Sequence, residues 1–78
     1  MRRAYLLIDL ERGQASHVVG SLRDKPGIAF VDAVSGVHDV IIVLEGPDTR
    51  AIATRTMQDI YAIGRVRYIS ACFAIRGQ

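Results

Sequence analysis

Between two strongly apolar runs the chain reads Ser35-Gly36-Val37-His38-Asp39-Val40. Asp39 carries a carboxylate able to meet an ammonium group. A loop rigid enough to hold its amides outward can cradle a carboxylate. The plainer readings are compatible with this: Gly36 as a turn residue with positive φ, Asp39 as a side chain capping N–H groups of its own loop, and His38 as a solvated turn histidine. Elsewhere the reactive residues do not assemble. Ser16 and His17 are adjacent on a predicted helix and do not face each other. The tyrosines are Tyr5, Tyr61 and Tyr68, there is no asparagine, and neither histidine falls on a predicted strand. No nucleophile–base pair is visible, so no catalytic residue is assigned. His17, His38 and Cys72 lack metal-ligand spacing, and neither a metal nor another cofactor is expected.

The elements that must position this turn follow from periodicity. Residues 4–10 are a short apolar run rich in strand formers. Over 14–24, Ala15, Val18, Val19 and Leu22 fall on one helical face, and Lys25-Pro26-Gly27 ends the helix. Residues 28–35 and 40–45 read as strands. Their connection is too short for a parallel crossover, so they form an antiparallel hairpin. Gly46-Pro47 breaks the chain and Asp48 is placed to cap a helix over 49–62. Ile52, Thr56, Ile60 and Ile63 form its inner face, widened by Ala53 and Met57. Gly64 ends it, and 66–75 is the last strand. The order βαββαβ with right-handed crossovers gives a ferredoxin-like α+β sandwich over residues 1–78: a four-stranded antiparallel sheet with both helices on one face.

Seventy-eight residues, half of them hydrophobic, make one small domain with a marginal core. A single cysteine, Cys72, excludes an internal disulfide. The net charge of +2 is spread along the chain, not clustered into a stripe, which argues against direct nucleic-acid binding. No apolar run is long enough to span a membrane and no signal peptide is legible, so a reduced, cytoplasmic setting is expected.

Side chains alternate across a strand. Leu6, Ile8 and Leu10 oppose Tyr5, Leu7 and Asp9. Val40, Ile42 and Leu44 oppose Ile41, Val43 and Glu45. Ile28, Phe30 and Val34 oppose Ala29, Val31 and Ala33, and Ile69, Ala71 and Phe73 oppose Tyr68, Ser70 and Cys72. Two helices cover one face only, and the second is also largely apolar. A second copy is expected to cover it, with Tyr5, Leu7, Ile41, Val43, Ala29 and Val31 at the contact.

In this strand order, Pro26-Gly27-Ile28 opening the second strand, Gly36-Val37-His38-Asp39 at the turn and the apolar run Val40–Glu45 together resemble the Lrp/AsnC family of amino-acid-responsive regulators. The resemblance covers nearly the whole chain and is to their C-terminal effector domain, the "regulation of amino-acid metabolism" module. It implies a stand-alone effector-binding and oligomerisation module without a helix-turn-helix, modulating transcription without binding DNA itself. It implies dimers formed through the sheets and assembled into an octameric or decameric ring, with hetero-association with full-length regulators as a further partner. It places a small effector, usually an amino acid, between dimers, and assigns Gly36, Val37, His38, Asp39 and Ser70 to the ligand. The family often carries threonines in a T-x-T pattern on the last strand; Ile69 and Ala71 stand at those positions here, so two hydroxyls are missing. The rival reading is a cofactor-independent dimeric α+β barrel enzyme of monooxygenase or isomerase type, which needs histidine, tyrosine or asparagine inside a cavity between sheet and helices.

Overall fold

A computed structural model describes residues 1–75. Strand β1 (Arg2–Leu10) leads into helix α1 (Ala15–Leu22), strands β2 (Ile28–Ala33) and β3 (Val40–Gly46), helix α2 (Thr49–Arg55) and strand β4 (Val66–Phe73). The sheet is antiparallel throughout, in the order β2-β3-β1-β4. This is the ferredoxin-like βαββαβ sandwich that the pattern predicts.

Alternation builds the core. Ala4, Leu6, Ile8 and Leu10 of β1 and Val40, Ile42 and Leu44 of β3 are buried, and they meet Val18, Val19 and Leu22 of α1 and Ile52 and Ile60 from the second helical segment. Each large aliphatic side chain withdrawn from water contributes about 1.5–3 kcal/mol, so these few decide whether so short a chain folds. Asp48 caps α2 as expected: its side chain accepts a hydrogen bond from the Ala51 N–H at 2.8 Å.

Two departures from the sequence pattern have local causes. The second helix does not run evenly over 49–62. After Arg55 it continues as a π-helical turn over Thr56–Ile60 and a 3₁₀ turn over Tyr61–Ile63. The Thr56 hydroxyl donates to the Ile52 carbonyl at 3.0 Å and competes with the helix ladder there. Ile52 and Ile60 keep their inward places, but Met57 is 64% exposed and does not widen the buried face. The other departure is a bulge between Ile28 and Phe30, where β2 shifts register against β3. Ile28 pairs with Leu44 and Val31 with Ile42 on the helix side, whereas Phe30 pairs with Val43 and Asp32 with Ile41 on the other. Pure alternation puts Phe30 inside and Val31 on the open face; the extra residue, Ala29, reverses both.

The open face is therefore made by Tyr5 and Leu7 of β1, Ile41 and Val43 of β3, Phe30 of β2, and Tyr68, Ser70 and Cys72 of β4, with register pairs Tyr5–Val43, Leu7–Ile41, Tyr5–Cys72 and Leu7–Ser70. The Arg3–Glu45 ion pair and the His38–Asp9 hydrogen bond flank it at its two ends. Arg3 Nη2 lies 2.6 Å from Glu45 Oε2, and His38 Nδ1 lies 2.8 Å from Asp9 Oδ1.

Candidate functional site

The β1–β3 ladder ends at the Ile8–Val40 pair, and the β2–β3 turn begins there. Asp39 fastens the turn to both neighbours. Its N–H donates to the Ile8 carbonyl at 3.0 Å, its carbonyl accepts from the Val34 N–H at 2.9 Å, and its Oδ2 accepts from the Leu10 N–H at 2.8 Å. The carboxylate thus caps a donor on β1; the expected cap on its own loop is not what forms. Gly36 has φ 129°, and a Cβ there would meet nothing within 4 Å. Conformation, and not close approach, is what requires glycine. Val37 projects into solvent, 89% exposed. His38 is half-buried against Asp9 and is not a free turn histidine.

Behind the turn lies a cleft of about 460 Å³, lined by residues 10–16 together with Asp39 and Arg67. Arg67 occupies the step where β4 shifts register against β1 between Asp9 and Leu10. The residues that line the cleft bear charge of both signs: Asp39 and Glu11 are acidic, Arg12 and Arg67 basic. Its lining includes the start of α1, where Gln14 makes no side-chain cap. Opening N–H groups of a helix suit an anion. Glu11 also lies 3.6 Å from Arg65, an exposed pair that contributes little.

Of the residues assigned from the sequence, Asp39 lines this cleft; Gly36, Val37 and His38 are its neighbours in the turn, and Ser70 is elsewhere. Ser70 stands in register with Leu7, on the open sheet face. Ile69 and Ala71 point to the helix side, where they join Leu6, Ala53, Thr56, Met57, Tyr61 and Phe73 around a smaller apolar hollow of about 260 Å³. The β1–α1 loop and Arg67 escaped sequence reasoning. Their one signal was the density of polar and charged residues over Glu11–Gln14, which reads equally as an ordinary turn.

Among the described residues no cluster of three potential metal ligands occurs, and no hydroxyl or thiol hydrogen-bonds to His38. No described helix is long and apolar enough to cross a membrane.

No protein-family model and no curated protein sequence matches the chain. Solved structures do. All of the chain is similar to TTHA0845 from Thermus thermophilus, with a TM-score of 0.91 at 20% identity, and covers 98% of that protein. For 96% of its length it is similar to AsnC of E. coli, with a TM-score of 0.87 at 10% identity, covering 51% of AsnC. For 96% it is similar to the transcriptional regulator NMB0573 of Neisseria meningitidis, solved as a complex with L-Met, with a TM-score of 0.81 at 16% identity, covering 50% of that chain. The chain thus spans about half the length of the two named regulators. At these identities the likeness establishes a shared fold.

Proposed function

We propose that this chain is an effector-binding and oligomerisation module of the Lrp/AsnC regulator type, with a free amino acid as its effector and no catalytic activity of its own. The observation that carries this reading is the mixed charge of the cleft at Asp39. An α-amino acid presents an ammonium and a carboxylate on one carbon. Asp39 and Glu11 suit the first; Arg12, Arg67 and the start of α1 suit the second. The turn is tied to β1 by its backbone and by its carboxylate, so little ordering cost falls on ligand binding. Support from outside the chain is that a regulator with this fold was solved with L-Met.

Assembly is part of the proposal. The open face joins half-buried Tyr5, Leu7, Ile41 and Val43 to exposed Phe30 and Tyr68. A contiguous exposed apolar sheet face marks an interaction site. We assign it to a second copy, sheet against sheet, with dimers associating further into a ring around the effector sites. The two helices are separated in sequence by β2 and β3, and so do not form a helix-turn-helix. The module would act on transcription through association with DNA-binding regulators.

Thermal-shift screening of the twenty amino acids, with light scattering on the same samples, tests both parts. The expected result is a dimer or larger species and a raised Tm with a subset of amino acids. A monomer with no shift for any of them would refute the reading.

A further inference from the structure

We infer that strand β4 pairs antiparallel with β4 of a second copy, edge to edge, a contact separate from the face-to-face one proposed above. β4 lies at the end of the strand order, with β1 as its one neighbour among the described strands. The Ala74 N–H donates to the Arg3 carbonyl at 2.9 Å, which sets the parity of that antiparallel ladder. Cys72, Ser70 and Tyr68 therefore direct their N–H and C=O groups to β1, and Phe73, Ala71 and Ile69 direct theirs outward.

Natural sheet edges are blunted by charge, proline, bulges or shortness. The other edge, β2, has such protection: it is six residues long, is bulged between Ile28 and Phe30, and carries Asp32. β4 has eight residues and keeps even register from Tyr68 to Phe73. From Tyr68 to Ile75 the sequence holds neither a charged residue nor a proline. Beside this edge lies the apolar hollow of about 260 Å³, where Met57, Tyr61 and Phe73 are 64%, 53% and 44% exposed. An unpaired strand edge next to exposed apolar side chains is a surface for strand addition.

The edge fits a second copy of itself. Two identical antiparallel strands are related by a twofold axis, and the same surface serves both copies. With Ala71 opposite Ala71, Ile69 of each copy exchanges hydrogen bonds with Phe73 of the other, and every outward group of these three residues is paired. The smallest of the three side chains stands at the axis. On the helix side, Ile69 and Phe73 form an apolar cross-strand pair at each end, and no like charges are opposed. Alternating with the face-to-face contact, this second twofold contact links dimers into a closed ring.

Residue-resolved amide exchange and sedimentation of the wild-type chain and Ala71→Pro test this. In the wild-type assembly the outward amides of Ile69, Ala71 and Phe73 should be protected as well as those of Ser70 and Cys72; on a free edge they exchange rapidly. Proline is tolerated on an edge strand where the N–H faces away from the sheet, so Ala71→Pro should keep the fold, lose every species larger than a dimer and leave face-to-face dimers. Ser70→Cys is a check that does not depend on the proline variant folding. Its thiol faces the exposed Cys72 of the other copy in a non-hydrogen-bonded pair, at a Cα separation of about 4.5 Å that a disulfide spans. Mild oxidation should then join the chains in pairs. Rapid exchange of the three outward amides in the wild-type assembly, Ala71→Pro sedimenting like wild type, or Ser70→Cys staying unlinked overturns this inference and leaves the face-to-face contact standing. Val43→Glu dimers that retain the three protected amides would refute the face-to-face contact and uphold this one. A wild-type monomer with all three amides exchanging freely overturns both.

Discussion

The Asp39 carboxylate accepts a hydrogen bond from the Leu10 N–H at 2.8 Å, across 29 positions of sequence. The β1–β3 ladder has ended one pair earlier, and Asp39 extends it with its amide to Ile8 and its side chain to Leu10. One residue thereby fixes the turn, the end of β1 and the wall of the cleft. Asp39→Ala should leave the Leu10 donor unsatisfied in a half-buried site and cost about 1–3 kcal/mol in urea unfolding. Asp39→Asn retains an acceptor oxygen and should lose much less. Faster amide exchange at Leu10 in the alanine variant alone would identify this bond as the cause.

Val43 lies at the centre of the open face, between Tyr5 and Phe30 in the ladder. Val43→Glu would put an unpaired carboxylate at a dry contact, at a cost of several kcal/mol. The variant should sediment as monomer or fail to fold. His17→Glu, on the exposed side of α1, should sediment like wild type. Equal behaviour of the two variants would remove the open face from the interface.

Gly36 is held at φ 129° with open space around it. Gly36→Ala should cost about 1–3 kcal/mol through backbone strain alone, read as a lowered urea midpoint. A neutral substitution would mean that the turn relaxes freely, and with it the pre-organisation proposed for the cleft.

In the core, Ile8 and Ile52 are fully or almost fully buried, on the sheet and on α2. Truncation of either to alanine should cost about 2–5 kcal/mol. Urea unfolding of the two variants checks this; a loss below about 1 kcal/mol at both sites would mean that this packing is not what holds the domain.

Strand order, helix faces and the Asp48 cap were legible because each depends on local spacing: alternating Leu6, Ile8 and Leu10, helical Val18, Val19 and Leu22, and an N-cap residue after Gly46-Pro47. The bulge at Ala29 was not, since alanine has no special backbone preference and the extra residue shows only against β3. It is why Phe30 and Val31 exchange faces. The π-helical turn after Arg55 was equally hidden, because a threonine that bonds back to the Ile52 carbonyl looks in sequence like any other helical threonine. Of the site, the turn Gly36–Asp39 could be read from glycine and aspartate at hairpin spacing. The placing of Arg12, Gln14 and Arg67 around one cleft with Asp39, and the approach of His38 to Asp9, exist only once the sheet has folded.

The most direct test of the central claim is calorimetric titration of the wild-type chain and Asp39→Asn with the amino acid that most raises the melting temperature. The substitution keeps the Leu10 hydrogen bond and removes the charge facing the ammonium group. A charged hydrogen bond is worth about 1.5–3 kcal/mol, so Asp39→Asn should bind about ten- to a hundredfold more weakly while melting close to wild type. Equal affinity in the two proteins would contradict the account and leave Asp39 as a structural clamp alone.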